Sequence, residues 1–401
     1  MKYLILGAGV AGLTFATRLQ KIKGEDSFLI LERENEAGGL CRSVYVGNTP
    51  VDIGGGHILD VRRPHVTKFI FEFMAKSEFN FYVRDSRINL GGVIVSHPLE
   101  ANIWQFPLEK QVDYLESISK AGCNVGEKMP EKFVDWIYWK LGDKIAEDYM
   151  IPYNKKMFGE NLNELGTYWL EKLPSVSFRE TLLSCLTKKF YGKQPGHAEF
   201  FYPKNFGYGE IWRRMAETVA GHIEYNKKIF KIDFTSNTVT TDDGEKYRAD
   251  KIVTTIPWRE FKEIDGMPDE LKDAIKNLKH TSIQVKYFPE NLDSKSQWTY
   301  FPNPALPYHR ILYQNNFNSN WRGYWTETRA ERVTGALEDR QTSFLNEYAY
   351  PLNTLEKPKI MAKLLAWCRE KNVYGLGRWG EHNHYNSDLT AELAMKLAEE
   401  I

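Results

Sequence analysis

The chain has 401 residues, enough for two or three domains around a sizeable core, and its 53 basic and 53 acidic side chains cancel. That neutral balance excludes a diffuse electrostatic grip on nucleic acid or an anionic membrane as the basis of function, and no apolar stretch approaches the roughly 20 residues of a membrane span. Four widely spaced cysteines, Cys41, Cys123, Cys185 and Cys368, form no CxxC pair, which excludes a disulfide framework or a zinc site and suits a reducing cytoplasm.

Residues 3–6 are an apolar run suited to a buried parallel strand. Gly7, Gly9 and Gly12 follow in GxGxxG spacing, and residues 10–20 read as a helix. Gly7 permits a tight turn, Gly9 lets backbone approach a pyrophosphate, and Gly12 lets helix and strand pack closely. A second strand over 28–31 ends in Glu32, twenty residues past Gly12, where a carboxylate meets a ribose 2′-hydroxyl. The initial Met1-Lys2 and apolar run thus belong to a dinucleotide fingerprint, and no signal peptide is expected. Gly38 and Gly39 then allow a second loop to close over the cofactor. That pairing is characteristic of FAD proteins rather than classical dehydrogenases, so the predicted cofactor is FAD.

Residues 54–57 are a glycine run ending in an imidazole, which suits close approach to a flat ring with Gly56 and His57 beside it. A turn histidine bonded to backbone is the equal alternative. Residues 79–83 and 87–90 read as strands, Gly91-Gly92 as a turn and 93–96 as the returning strand. From 107 to 186 the pattern is helical, with Phe133, Trp136, Ile137 and Leu141 on one face, a stripe read as core. Ile229 lies in a strand over 227–234 and is assigned to the cofactor site. Residues 249–257 look like a buried strand of the nucleotide domain. Segments 282–288, 298–301, 309–314 and 323–329 suggest an antiparallel sheet paired with the earlier hairpin. Near the end, Gly377 and Arg378 follow a strand, and a helix capped by Asn386, Ser387 and Asp388 is placed to close the flavin site.

The predicted fold is α/β, a Rossmann-like FAD-binding domain interleaved with a helical lobe and an antiparallel sheet substrate domain. Residues 1–60, 205–260 and 365–401 are expected to build the FAD domain and 105–190 the helical lobe. Residues 61–104, 191–204 and 261–364 are left to the sheet.

These motifs resemble the UDP-galactopyranose mutases, within the wider amine-oxidase-like flavoproteins. The similarity is carried by GGGHIL at 54–59, HPLEANI at 97–103, PYNKKMFG at 152–159, WLEKLP at 169–174, LPYHR at 306–310, AYPL at 349–352, GRWG at 377–380 and NSD at 386–388. The resemblance implies an FAD enzyme, active when reduced, whose flavin N5 attacks the anomeric carbon of a nucleoside-diphosphate hexose so that the sugar recloses with the other ring size. It implies catalytic roles for His57 and Arg310, the latter binding the diphosphate. Tyr153 and Phe158 are expected at the nucleobase, with Lys172, Tyr350, His384 and Asn386 as further substrate contacts. An external reductant such as NAD(P)H, a cytoplasmic setting and a homodimer are further expectations. No metal, nucleic acid or membrane partner is expected.

The chain departs from the family at three places. Phe158 stands where Trp is usual and His384 where Tyr is usual. Val176 stands where bacterial members have a further arginine, leaving Lys172 or Arg179 to supply that charge. The nucleobase and hexose therefore stay open. Two rival readings also stand: a flavin oxidase or desaturase for amines, polyenes or porphyrin precursors, and a flavin-binding scaffold without catalysis.

Overall fold

The computed structural model describes residues 1–24, 27–170, 173, 175–193, 196–333 and 342–401. Its nucleotide half is built on a five-stranded sheet in the order Ile223–Glu224, Phe28–Leu31, Tyr3–Leu6, Lys251–Thr254, Val373–Gly375, with every neighbouring pair parallel. The central strand is apolar at every position because both faces are covered, and Leu4, Ile5 and Leu6 are fully buried. Burying each such side chain stabilises the fold by about 1.5–3 kcal/mol. On one face the helix Val10–Lys23 packs against the C-terminal helix Ser387–Glu400. Its close seat on the first strand needs Gly12: a Cβ there would lie 2.0 Å from the Gly7 carbonyl oxygen.

All five strands fall within the three stretches expected for this half. The other face draws on more of the chain. Leu271 and Ile275 of the helix Asp269–Lys276, and Met361 and Leu364 of Lys357–Glu370, share one buried cluster with Leu4 and Leu6. The expected boundaries at 260 and 365 therefore cut through a single packed core. The charged faces of these two helices hide, in the linear sequence, an apolar stripe that has only this sheet to cover.

The second half is a seven-stranded sheet in the order Ser343–Pro351, His280–Phe288, Tyr324–Arg329, Arg310–Tyr313, Trp298–Tyr300, Ser86–Leu90, Val93–Ser96. The early hairpin joins the later strands as expected, but Ser86–Leu90 runs parallel to Trp298–Tyr300, so the sheet is mixed rather than antiparallel. Strand Phe79–Val83 leaves it to pair with Glu199–Pro203. Helices Leu108–Ser119, Phe133–Ile145, Ile151–Phe158 and Phe178–Thr187 occupy the stretch with helical period. Phe133, Trp136, Ile137 and Leu141 are buried together there, so the aromatic stripe is core. Among the described residues no helix is long and apolar enough to cross a membrane.

Candidate functional site

The residues just beyond the parallel strands, Gly7, Glu32 and Thr255, border a cavity of about 790 Å³. That volume lies in the range of about 300–1,000 Å³ common to small-molecule and cofactor sites. Gly9 and Gly39 face each other across its neck: Gly39 has φ +55°, and a Cβ on it would come within 3.2 Å of Gly9 Cα. Helix Val10–Lys23 begins at Gly9 with no side-chain cap and no acidic residue in its first turn, so its N-terminus is left for an anion. Glu32 is buried and accepts the Ala8 N–H at 2.7 Å and the Glu34 N–H at 3.0 Å. Burial raises its pKa against those N–H groups and the nearby Arg42 and Arg33. Each oxygen keeps a lone pair for a ribose hydroxyl. Gly38 and Ile229 line the same space. This cradle fits FAD, which Glu32 and these glycines would hold.

A second, polar chamber of about 160 Å³ adjoins the first. His57, Arg378 and Ser387 border both cavities and form the wall where they meet. His57 Nδ1 lies 3.0 Å from the Gly55 carbonyl, which assigns the proton to Nδ1 and leaves Nε2 as an acceptor. Burial, then the charge of Arg378, lowers its pKa to about 4, so the ring is neutral at pH 7. Arg378 donates to the carbonyls of Tyr385 and Ala349, and Ser387 shares a 2.7 Å hydrogen bond with Tyr208.

Arg310 reaches the chamber from its strand, with Gly56 and Leu312 beside it. Its direct cross-strand partner is Glu327, and the two form a buried pair: Nε donates at 3.0 Å, Nη2 at 2.7 and 2.6 Å. Glu327 also accepts the Gly56 N–H at 3.0 Å. Tyr350 and His384 line the chamber as neighbouring rings 4.8 Å apart, and Asn386 donates to His197 at 2.8 Å.

Other expected residues lie elsewhere. Phe158 is buried against Trp169 in the helical lobe, and Tyr153 is half-buried against Tyr300 and His309; neither lines either of these two cavities, though Tyr153 touches the chamber wall through Tyr300. The apolar stripe that folds their helix onto the lobe takes up the Phe158 ring. Asp388 is fully buried in an ion pair with Arg63 and lines neither cavity. Gly12 and Gly377 serve close packing, Gly377 against Ala11. Tyr308 packs with Phe301, Ile311 and Tyr313; the strand begins only at Arg310, so alternation from Arg310 does not extend back to it. Lys172 lies outside the described residues, Val176 is buried, and Arg179 is exposed on its helix, lining neither cavity. Sequence reading missed Glu327, Arg84, Tyr300 and His197; Glu327 alone carried a signal, an acid at alternate spacing in a strand.

Residues 10–288, more than half of the chain, match the family model for flavin containing amine oxidoreductases. The fold matches that of reduced UDP-galactopyranose mutase with a TM-score of 0.90 at 20% identity, over 100% of this chain and 95% of that one. It matches cyclohexylamine oxidase from Brevibacterium oxydans with a TM-score of 0.68 at 13% identity, over 100% of this chain and 99% of that one. At such identities the likeness is one of fold. A coproporphyrinogen III oxidase of Mycobacterium bovis is 34% identical over 71 residues, 18% of this chain and only 16% of that protein's length. The family match and the cradle around Gly7 to Glu32 agree: the chain is an FAD flavoprotein and belongs to the flavin containing amine oxidoreductase family.

Proposed function

We propose that this flavoprotein is a nucleotide-sugar mutase, interconverting the pyranose and furanose forms of a nucleoside-diphosphate hexose such as UDP-galactopyranose. The observation that carries the reading is the polar chamber sharing the His57–Arg378–Ser387 wall with the cofactor cavity, lined by Arg84, Arg310 and Arg378. Such a lining suits a phosphorylated sugar and is costly for an apolar amine or polyene. Whole-chain likeness in fold to a UDP-galactopyranose mutase supports it.

When bound and reduced by an external donor such as NAD(P)H, the flavin would supply the nucleophile for the anomeric carbon. The protein's residues do the rest. Arg310 offers its remaining N–H groups to the departing diphosphate, and Tyr350 and His384 border the same space. Neutral His57, held by Gly55, presents Nε2 as an acceptor at the wall. Tyr153, Phe158 and Lys172 remain proposed nucleobase or phosphate contacts.

Oxidation of an amine or porphyrin precursor is the second reading, favoured by the family match and the oxidase neighbours. The experiment separating the two reduces the protein with dithionite, offers a panel of nucleotide-hexoses and follows pyranose–furanose exchange by chromatography. Exchange that requires reduced protein supports the mutase; no exchange, with hydrogen peroxide formed from amines in air, supports the oxidase.

A further inference from the structure

The Tyr300 hydroxyl oxygen receives two N–H donors, Arg84 Nη2 at 3.0 Å and Trp298 Nε1 at 2.9 Å. A phenolic oxygen has two lone pairs and one hydrogen, so with both pairs engaged the group can act only as a donor. Tyr300 lines the chamber and is the direct cross-strand partner of Arg310, so the two side chains leave the same face of the sheet side by side.

Arg84 is itself fixed. Its Nε donates to Ser86 Oγ at 2.9 Å, its Nη1 to the Gly196 carbonyl at 2.8 Å, and its Nη2 lies 3.2 Å from His97 Nδ1. The guanidinium sits 5.1 Å above the Trp298 ring. Burial and the adjacent Arg84 hold His97 well below its ordinary pKa, so it is a neutral acceptor. No carboxylate lies within ion-pair distance of Arg84 among the described residues, whereas the charge of Arg310 is offset by Glu327. Among the described residues one Nη1 hydrogen of Arg84 is also uncommitted. An uncompensated cation that donates to a phenol strengthens the hydrogen bond the phenol gives onward.

We propose that Arg84 is a positioning residue that makes the Tyr300 hydroxyl a one-way donor, and that the two form an anion subsite beside Arg310 for the phosphoryl oxygens of a nucleoside diphosphate. This rests on the mutase reading for the identity of the anion. It also supplies a cation that the sequence motifs did not locate.

The test measures binding of UDP, inorganic pyrophosphate and neutral uridine to the oxidised flavoprotein by titration calorimetry, with flavin content and thermal midpoint as controls. Tyr300→Phe and Arg84→Gln should each weaken UDP and pyrophosphate binding by about tenfold or more while uridine binding is unchanged. The double variant should lose little beyond either single one, because the two groups act as a unit. Arg84→Lys, which keeps the charge but not the fork, should recover part of the loss. A purely structural role for Arg84 would not produce this coupling or the selectivity between UDP and uridine. Unchanged UDP affinity in Tyr300→Phe overturns the proposal, as does a wild-type protein that binds neither UDP nor pyrophosphate. Should Arg84→Gln fail to fold, Tyr300→Phe removes a single oxygen and carries the test alone. Wild-type protein that binds UDP through this pair but never isomerises a sugar overturns the mutase reading and leaves the subsite standing. Isomerisation with unaltered UDP affinity in the variants does the reverse.

Discussion

Arg310 faces Glu327 across two antiparallel strands and donates to it through Nε at 3.0 Å and Nη2 at 2.7 Å, with the carboxylate only 1% exposed. The arginine proposed to bind diphosphate is therefore half of a buried ion pair. Removing it does two things, since it takes a cation from the chamber and strands an anion beside it.

Arg310→Ala should lower folding stability by about 3–5 kcal/mol, the usual cost of breaking a buried pair. Adding Glu327→Gln should restore a large part, because the stranded charge is then gone. Chemical denaturation of the two singles and the double measures this. In the same set, ligand affinity lost in Arg310→Ala but not recovered in the double reports the direct contact to diphosphate.

Acid should find the same pair. Burial alone would raise the Glu327 pKa, but Arg310, His309 and the Gly56 N–H outweigh it and hold the group at about 2, against an ordinary 4.5. A depressed folded-state pKa gives stability that is full above the unfolded value and lost as pH falls from about 4.5 towards about 2. Glu327→Gln should flatten the stability profile in that window, measured by denaturation at a series of pH values.

Replacing Glu32 by Ala removes the acceptor for the Ala8 and Glu34 N–H groups and for the ribose. Flavin affinity should fall by about 1.5–3 kcal/mol, roughly 10- to 150-fold. Flavin retained after dialysis, read from visible absorbance, checks it; unaltered retention would place the ribose elsewhere.

Gly12→Ala should abolish tight flavin binding, because its Cβ would stand 2.0 Å from the Gly7 oxygen and push the helix away from the phosphate turn. Protein recovered without visible flavin absorbance is the expected result.

His57 should show no protonation as pH falls from about 8 to about 5, since burial and Arg378 hold its pKa at about 4. Its ring proton shifts in a magnetic resonance titration report this, and the wild-type activity profile should carry no inflection from it. An imidazole titrating near its ordinary 6.5 would mean that the wall between the cavities is open to water.

Much of the nucleotide half is legible in the linear chain. Strand, glycines, helix and Glu32 are close in sequence, and their chemistry is that of one continuous turn, so linear spacing determines their geometry. Ile229 and Arg378 line the cofactor cavity, and Tyr350 and His384 line the chamber.

The substrate side is decided by tertiary structure. Whether Tyr153 and Phe158 face a ligand or a core depends on which side of their helix meets the lobe, and an aromatic stripe looks the same in both cases. The pairing of Arg310 with Glu327 depends on strand register between residues 17 positions apart. The meeting of Arg84 with Tyr300, 216 positions away, depends on a parallel pairing of distant strands. Local sequence thus determined that this protein grips a dinucleotide, because that grip is made by neighbours in the chain. Which charges a ligand meets in the chamber beside it was decided only when distant strands came into register, because a folded partner, as Glu327 is for Arg310, offsets part of a cation's charge.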